Sequence, residues 1–363
     1  MKRLLALVVL VGMLGAFGLA TPVRAADDPQ AAAQRSINWL VARQMDDGSF
    51  PGFDAGASAD AIFALTSIGA DPNGVLKNGN SPVSYLGNQA AAYASKSTAA
   101  AAKLTLAVVA AGKDPLTFGG QNLVGLIVNR YDAQTGRYGQ DITGQALALL
   151  ALASTGQPIP PAAITALNQA QLADGGWSFD GTAATGSDTN TTALAIQALV
   201  ATGAKGASTA KALEYLKSQQ NGDGGFPYAQ SSQFGADSDA NSTAVVIQAL
   251  VAAGADPRAW QQSGGEPISA LLALQNASGA FRYQATQADD NDLATAQAIP
   301  ALLLKPFPLK TVSLSPVVAP SAPTSAPLPA SLPRTGGADA PVWVVALALV
   351  LLAAGGLLKL RRV

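Results

Sequence analysis

Histidine and cysteine are both absent from this 363-residue chain, and glutamate occurs only at Glu214 and Glu266. The sequence therefore excludes Ser-His-Asp triads, histidine-containing zinc sites and disulfide bonds. Aromatic residues make up 6% and charged residues 12% of the chain, and the formal net charge is −1. No basic stripe is present, which argues against nucleic acid as a partner. Without disulfides, stability must come from a large apolar core.

Residues 1–25 have the pattern of a secretory signal peptide. The basic start Met1-Lys2-Arg3 is followed by an apolar run from Leu4 to Ala20 and by the small-x-small site Val23-Arg24-Ala25. We expect cleavage after Ala25, which would place the rest of the chain outside the cytoplasm. An uncleaved N-terminal membrane anchor is the alternative, although the apolar run is short for a span.

The C-terminal part has three consecutive segments of different character. Residues 309–331 are rich in Pro, Ala and Ser, which predicts an extended linker. Residues 332–363 contain Leu332-Pro333-Arg334-Thr335-Gly336, an apolar run from Val342 to Leu358 and a basic end. The run is long enough to cross a bilayer, and the basic end favours retention of the C-terminus inside.

This C-terminal arrangement resembles a cell-wall sorting signal of the LPxTG type. In that family a sortase transpeptidase cuts between the residues that correspond to Thr335 and Gly336, and joins the threonine to the envelope. The resemblance implies a sortase-like partner, a C-terminal membrane helix and display at the bacterial cell surface. A plain single-span anchor is the alternative, and both place the globular part outside the membrane.

Residues 26–308 alternate between amphipathic segments and segments that are apolar on all sides, which predicts outer and buried inner helices. Five inner segments end at a glycine suited to a left-handed helix stop, and the sixth, residues 292–304, is followed by Pro306. These glycines are Gly69, Gly112, Gly156, Gly203 and Gly254, and the outer helices are expected to begin near Gln30, Pro82, Gln121, Pro161, Ala207 and Glu266. We therefore predict an all-α, monomeric domain of six helical hairpins, which can close into an α6/α6 toroid or form an open superhelical solenoid; the resemblance described below favours the closed toroid.

A glutamine followed six residues later by an aromatic residue recurs four times. The pairs are Gln44 with Phe50, Gln171 with Trp177, Gln220 with Phe226, and Gln275 with Phe281. Repeat three retains only Gly136-Arg137-Tyr138, and repeat two lacks the motif. We expect a structural role in which the glutamine bonds unpaired backbone groups at helix ends and the aromatic ring packs over it.

These repeats resemble the QW motif of the squalene-hopene cyclase and prenyltransferase superfamily, which implies an α/α toroid. The chemistry of that superfamily does not carry over, because the DxDD acid of the cyclases and the Asp, Cys and His zinc ligands of the protein prenyltransferases are missing. The chain also resembles the ring domain of extracellular cobalamin carriers, which implies a possible corrinoid-like ligand. Those carriers hold their ligand between the ring and a second β domain, whereas here the predicted linker begins directly after the ring.

Small polar or acidic residues recur where the inner helices are expected to begin. They are Asp60, Ser97, Asp141, Asp188, Asn190, Asp239, Asn241, Asp290 and Asp292. One interpretation is that they cap helices. The other is that a closed ring brings them together as a polar rim, which could bind a ligand, bind a cation such as calcium or use paired carboxylates for catalysis.

Three glutamines within the inner helices, Gln197, Gln248 and Gln297, are expected to occupy equivalent positions. They either link helices or point into a central cavity. Two classes of function remain open. The first, which the lack of histidine favours, is a non-catalytic, surface-anchored module that binds a small or polymeric ligand. The second is a surface enzyme, either a divergent cyclase or a glycan-acting toroid that uses rim aspartates.

Overall fold

The computed structural model describes residues 28–233 and 235–317. Within these ranges the chain forms twelve α-helices and two short 3-10 helices, with isolated bridges but no β-strand. None of the helices there has the length and apolar character needed to cross a bilayer. The predicted signal peptide, the rest of the linker, and Leu332, Pro333, Thr335 and Gly336 of the sorting motif lie outside the described residues.

The twelve helices alternate between an outer and an inner layer. The outer helices are α1 (Pro29–Ala42), α3 (Pro82–Ser95), α5 (Leu123–Val128), α7 (Pro161–Gln169), α9 (Ala207–Gln219) and α11 (Pro267–Leu272). The inner helices are α2 (Ala55–Ser67), α4 (Thr98–Ala110), α6 (Ile142–Ser154), α8 (Thr189–Ala201), α10 (Ala240–Ala252) and α12 (Asp292–Leu302). The inner helices are buried along most of their length, as their lack of a charged face predicts.

The ring is closed. Each inner helix packs against the next one along the chain, and α12 packs against α2. The outer helix α1 also lies against α12, and the Gln275 amide donates to the Ala32 carbonyl of α1 at 2.9 Å. These contacts join the last repeat to the first, which excludes the open solenoid and confirms the predicted toroid.

Most outer helices pack chiefly on the inner helix that precedes them in the chain, whereas α3 packs on the following helix α4 as closely as on α2. Thus α9 lies against α8, and α11 lies against α10. The reason is the length of the connections, because α8 and α9 are separated by five residues whereas residues 170–188 separate α7 from α8. In these repeats the compact hairpin therefore runs from inner to outer helix, whereas in repeat two only residues 96–97 separate α3 from α4 and the outer helix comes first.

Side-chain caps begin every inner helix. The capping residues are Asp54, Ser97, Asp141, Asp188, Asp239 and Asn291, each of which accepts a hydrogen bond from a backbone N–H in the first turn. The capping role predicted for the rim residues is confirmed at Ser97, Asp141, Asp188 and Asp239. It is wrong at Asp60, Asn190 and Asn241, which lie within their helices, and at Asp290 and Asp292, which flank the true cap Asn291.

The predicted glycine stops are confirmed. Gly203 has φ 72°, and the N–H of the next residue, Ala204, donates to the Leu199 carbonyl at 2.8 Å. The turn therefore supplies hydrogen-bond donors to carbonyls in the last turn of α8. Helix α12 makes the same turn with Leu304 at φ 54°, and the Lys305 N–H bonds the Pro300 carbonyl. Helix α12 therefore ends at Leu302 by this turn, before Pro306 is reached.

The repeated glutamines join neighbouring repeats. The amide of Gln220 donates to the Gly224 carbonyl of its own motif at 2.9 Å and to the Trp260 carbonyl of the next repeat at 2.7 Å. Gln44, Gln171 and Gln275 bond in the same manner. At Gly224, with φ 89°, a Cβ atom would lie 2.2 Å from the Glu266 nitrogen, so only glycine permits this approach.

A second interaction holds the motif aromatics. Each aromatic residue donates its backbone N–H to a side chain four residues after the cap of the following inner helix, as Trp177 does to Thr192 at 2.9 Å. Repeat three lacks the motif glutamine, and Gln145 of α6 replaces it. Its amide oxygen accepts from the Tyr138 N–H, and its nitrogen donates to the carbonyls of Gly136 and Ala163.

After α12 the chain crosses the C-terminal end of the ring; residues 305–317 are called the strap below. The Val312 and Leu314 N–H groups bond the carbonyls of Ser154 and Thr155 at the end of α6, and Leu309 and Leu314 pack on the core. The sequence assigns residues from 309 onward to a linker beyond the toroid. The packed chain instead extends at least to residue 317.

Candidate functional site

The six inner helices enclose a central cavity of about 220 Å³. The sixth residue after each N-cap lines this cavity, because the caps lie at one level and the helices run parallel around the axis. These residues are Asp60, Lys103, Leu147, Leu194, Val245 and Gln297. The helical period places the next cavity-lining residues three positions later, where Phe63, Leu106, Gln248 and Pro300 lie.

Polar side chains occupy one half of this layer. Lys103 of α4 makes a 2.7 Å ion pair with Asp60 of α2, and the side chain of Gln297 on α12 reaches the same carboxylate. Asn241 donates to the Gln297 oxygen at 2.8 Å. Burial raises the pKa of Asp60, while Lys103 opposes that rise. Burial also lowers the pKa of Lys103, but the charge and hydrogen bond of Asp60, together with Tyr93 and Asp54, outweigh burial and the pKa is raised.

The opposite half of the layer is apolar. Helices α6, α8 and α10 contribute Leu147, Leu194 and Val245, which remain partly accessible within the cavity. Because α8 lies opposite α2 in a ring of six, the apolar wall faces the ion pair. The cavity can therefore contact an apolar group on one side and a hydrogen-bonding group on the other.

The strap closes the C-terminal end of the cavity. Phe307 lines the cavity and meets the ring of Phe63 edge-on at 4.8 Å. The Phe307 N–H donates to the Gln197 oxygen at 2.8 Å, and the Gln248 amide donates to the Lys305 carbonyl at 2.7 Å. These two glutamines therefore hold the strap across the C-terminal end of the cavity.

Asp188 lies near the opposite end, at the level of the N-caps. Its Oδ1 accepts from the Thr191 N–H at 2.7 Å, whereas its buried Oδ2 has no hydrogen-bond partner in the part of the chain that the structure describes. Burial raises the pKa of Asp188 to about 6, although the Thr191 N–H and the nearby Tyr228 phenol oppose the rise. Tyr228, Phe179 and Asn190 line the same end of the cavity, which is called the mouth below.

The structure brings only some of the predicted rim residues together. Those that line the cavity are Asp188, Asn190, Asn241, Gln248 and Gln297, together with Asp60. Asp141 and Asp239 cap their helices and do not line it, and Gln197 contacts the strap. Burial raises the pKa of Asp239 to about 7.

The acidic run near α12 lies elsewhere. Asp290 accepts from Asn276 at 2.8 Å and from Ser278 at 2.9 Å, and Asp292 pairs with Arg43 at 2.5 Å beside a second, smaller pocket. Across the described ranges, no three carboxylates come together as a metal site.

The predicted equivalence of Gln197, Gln248 and Gln297 is wrong, and the polar residues near the helix starts are not all equivalent either. Asn190 and Asn241 lie two residues after their caps, whereas Asp290 precedes the cap Asn291. Gln197 and Gln248 lie nine residues after their caps, but Gln297 lies six after its own, one helical turn closer to the mouth. The error arose because the cap of α12 was assigned to the wrong residue.

Sequence reasoning missed Lys103 and the two mouth aromatics. A signal for Lys103 existed, since it is the only charged residue in α4, which is otherwise apolar or small. A second aromatic residue also follows the motif aromatic by two positions, as in Trp177-Ser178-Phe179 and Phe226-Pro227-Tyr228. The carbonyls of these second aromatics accept from the first N–H of the preceding inner helix, so Tyr228 bonds Thr189 at 2.9 Å.

Comparison with known proteins agrees with this architecture. Residues 142–281 and 194–314 match the sequence model of the prenyltransferase alpha-alpha toroid domain. No curated protein matches the chain in sequence.

Among solved structures, a protein from Actinoplanes is 14% identical over 76% of this chain and 98% of its own, with a TM-score of 0.51. The type II terpene cyclase MstE from Scytonema is 12% identical over 77% and 98%, with a TM-score of 0.53. Haptocorrin in complex with Cbi is 14% identical over 78% and 69%, with a TM-score of 0.50. The fold of this chain is therefore an α/α toroid of the prenyltransferase type, and residues 142–314 carry that family's sequence pattern.

Proposed function

We propose that this protein is a non-catalytic binding module that holds a small ligand in its central cavity. The observation that supports this proposal is the division of the cavity layer into a polar half, with Asp60, Lys103 and Gln297, and an apolar half, with Leu147, Leu194 and Val245. Ligand sites combine apolar walls with a few placed polar groups in this way.

The cavity volume narrows the class of ligand. At about 220 Å³ it is smaller than the roughly 300–1,000 Å³ typical of pockets for drug-sized molecules. A corrinoid enclosed within the ring is therefore disfavoured, and a small molecule is favoured over a polymer.

We further propose display at the bacterial cell surface. The support is the sequence pattern at both ends of the chain, a signal-peptide pattern before the toroid and the LPxTG-like motif with an apolar run after it. A sortase-like transpeptidase would then be the processing partner.

The test of cavity binding is native mass spectrometry of the purified protein, compared with a cavity-filling variant, Leu194→Trp. The added ring atoms would occupy the cavity and displace the ligand, and the melting temperature should change little because the core behind Leu194 is retained. A bound mass that is present in the wild type and absent from Leu194→Trp is expected. An identical mass in both proteins would place the ligand elsewhere and refute the proposal.

One observation favours a second candidate, acid catalysis on an unsaturated substrate. The carboxyl of Asp188 has a pKa raised to about 6 and lies in a largely apolar cavity, where a protonated carboxyl can serve as a general acid. Incubation with a small alkene in D₂O would test this function. Deuterium incorporation that disappears in Asp188→Asn would support catalysis, and its absence in the wild type would refute it.

A further inference from the structure

The cavity lining contains more acidic than basic side chains. Its titratable lining residues are Asp60, Lys103, Asp188 and Tyr228. Lys103 is matched by Asp60 at 2.7 Å, so an anionic ligand at Lys103 would have to compete with a buried carboxylate already in place. The one charge of the lining without a counter-ion is that of Asp188 when it is ionised.

Asp188 is only partly satisfied by its own helix. Its Oδ1 caps α8 through the Thr191 N–H, and this contact already uses the positive end of that helix. Its Oδ2 is buried, and the residue is 2% exposed; no described residue donates a hydrogen bond of normal length to that oxygen, although the Thr191 hydroxyl and the Tyr228 phenol lie near enough to favour the ionised carboxylate. A buried carboxylate oxygen of this kind requires a donor, since unpaired buried polar atoms are costly and rare.

Asp239 provides an internal comparison. It caps α10 as Asp188 caps α8, and it is equally buried at 1% exposed. Its Oδ1 accepts from the Ser242 N–H and its Oδ2 from the Ser242 hydroxyl, and it does not line the cavity. The two caps therefore differ at the second oxygen, which has a hydroxyl donor within hydrogen-bond distance in Asp239 and none in Asp188.

The neighbours of Asp188 at the mouth suit a positively charged group. Phe179 and Tyr228 line the cavity there, and the faces of aromatic rings attract organic cations. Asn190 adds an amide oxygen that can accept a hydrogen bond. Beyond them lie Leu194 and Val245, which offer contact to an apolar body.

We propose that the mouth binds a small organic cation, an alkylammonium whose charged head meets the Asp188 carboxylate and whose alkyl body packs on the apolar half of the cavity. This inference rests on the proposed function, because it names the ligand class of the same cavity. The volume of about 220 Å³ limits the alkyl body to a short chain.

The test uses three probes of similar size and different charge, which are n-butylammonium, 1-butanol and butyrate. Binding of each to the full-length protein is measured by calorimetry or by ligand-observed NMR. We expect butylammonium to bind at least tenfold more tightly than either of the others. The charge-neutral variant Asp188→Asn keeps an amide oxygen for the cap, and it should lose at least tenfold in butylammonium affinity.

The matched control is Asp239→Asn, which makes the same change at the cap that does not line the cavity. It should bind butylammonium within about twofold of the wild type, since a satisfied cap outside the cavity makes no ligand contact. An equal loss in both variants would show that the effect is a general consequence of weakening a cap, and would overturn the assignment of Asp188.

The probe series also separates the two proposals without any variant. If butanol or butyrate binds as tightly as butylammonium, the cation inference is wrong while binding in the cavity stands. If all three bind the wild type and Leu194→Trp equally, binding is outside the cavity and both proposals fail. If none of them binds, the cation inference is wrong, and the native mass measurement then decides the proposed function separately.

Discussion

Trp177 allows the packing and hydrogen-bonding parts of the repeat motif to be measured separately. Its side chain is fully buried, and its indole N–H donates to the Leu167 carbonyl at 2.7 Å. That carbonyl lies in the last turn of α7, where no following helical N–H can reach it. The indole therefore supplies both core volume and the partner of a helix-end carbonyl.

Two substitutions divide these contributions. Trp177→Ala removes the whole ring and should destabilise the toroid by about 3–5 kcal/mol, the cost of a large-to-small change in a core. Trp177→Phe keeps most of the ring but leaves the Leu167 carbonyl unpaired, which costs about 1–3 kcal/mol. Phenylalanine is compatible with the backbone of this position, since Phe50, Phe226 and Phe281 occupy it in other repeats.

The measurement is urea denaturation followed by far-UV circular dichroism, with both variants compared at an unchanged denaturant slope. The expected order of stability is wild type, then Trp177→Phe, then Trp177→Ala. If Trp177→Phe matched the wild type within about 0.5 kcal/mol, which is the range of neutral substitutions, the hydrogen bond to Leu167 would have no energetic role. If it matched Trp177→Ala, the packing argument would be wrong.

Four further outcomes are expected. Because burial raises the pKa of Asp239 to about 7, the folded state holds a proton that the unfolded state releases, so wild-type stability should fall between about pH 4 and 7. Asp239→Asn should reduce this slope in pH-dependent melting, and the part that remains is expected from Asp188, whose pKa burial also raises; an unchanged slope would refute the role of Asp239. Gln275→Ala removes the bond that joins the last repeat to Ala32 and should cost about 1–3 kcal/mol in denaturation, and a negligible loss would mean that ring closure does not depend on it. A chain ended at residue 308 should melt at a lower temperature than one ended at residue 317, because it loses the strap contacts to α6; equal melting would show that the strap adds no stability. Thr335→Ala should keep the protein in the membrane fraction while cell-wall digestion releases the wild type, whereas equal retention of both would indicate a simple membrane span.

Local chemistry explains which parts of the fold were predictable. Glycine at a left-handed stop, aspartate or serine at a cap, and glutamine at a fixed distance from an aromatic ring each act within one repeat. These signals are therefore readable in order along the chain, and they predicted the inner helices to within a few residues. Closure of the ring was chosen by resemblance, and the contacts between α12 and α2 confirm it.

The cavity was less predictable because its contacts join different repeats. Asp60 and Lys103 lie 43 residues apart, and they meet only because both are sixth after their caps on adjacent helices. The sequence analysis placed the caps of α2 and α12 at the wrong residues. The positions counted along these two helices were therefore shifted, and the layer of cavity-lining residues was not recognised. With Asp54 and Asn291 as caps, the count along all six helices identifies Asp60, Lys103 and Gln297 as cavity residues.

The strap determines which end of the ring is accessible. Phe307 covers the cavity at the C-terminal end of the inner helices, and the bonds of Gln197 to Phe307 and of Gln248 to Lys305 hold the strap there. The central cavity is therefore closed at that end. The described chain then leaves along the end of α6, on the face opposite the mouth. Because the strap closes the other end, a ligand that enters the cavity would pass Phe179 and Tyr228 at the mouth before it reached the Asp60–Lys103 ion pair.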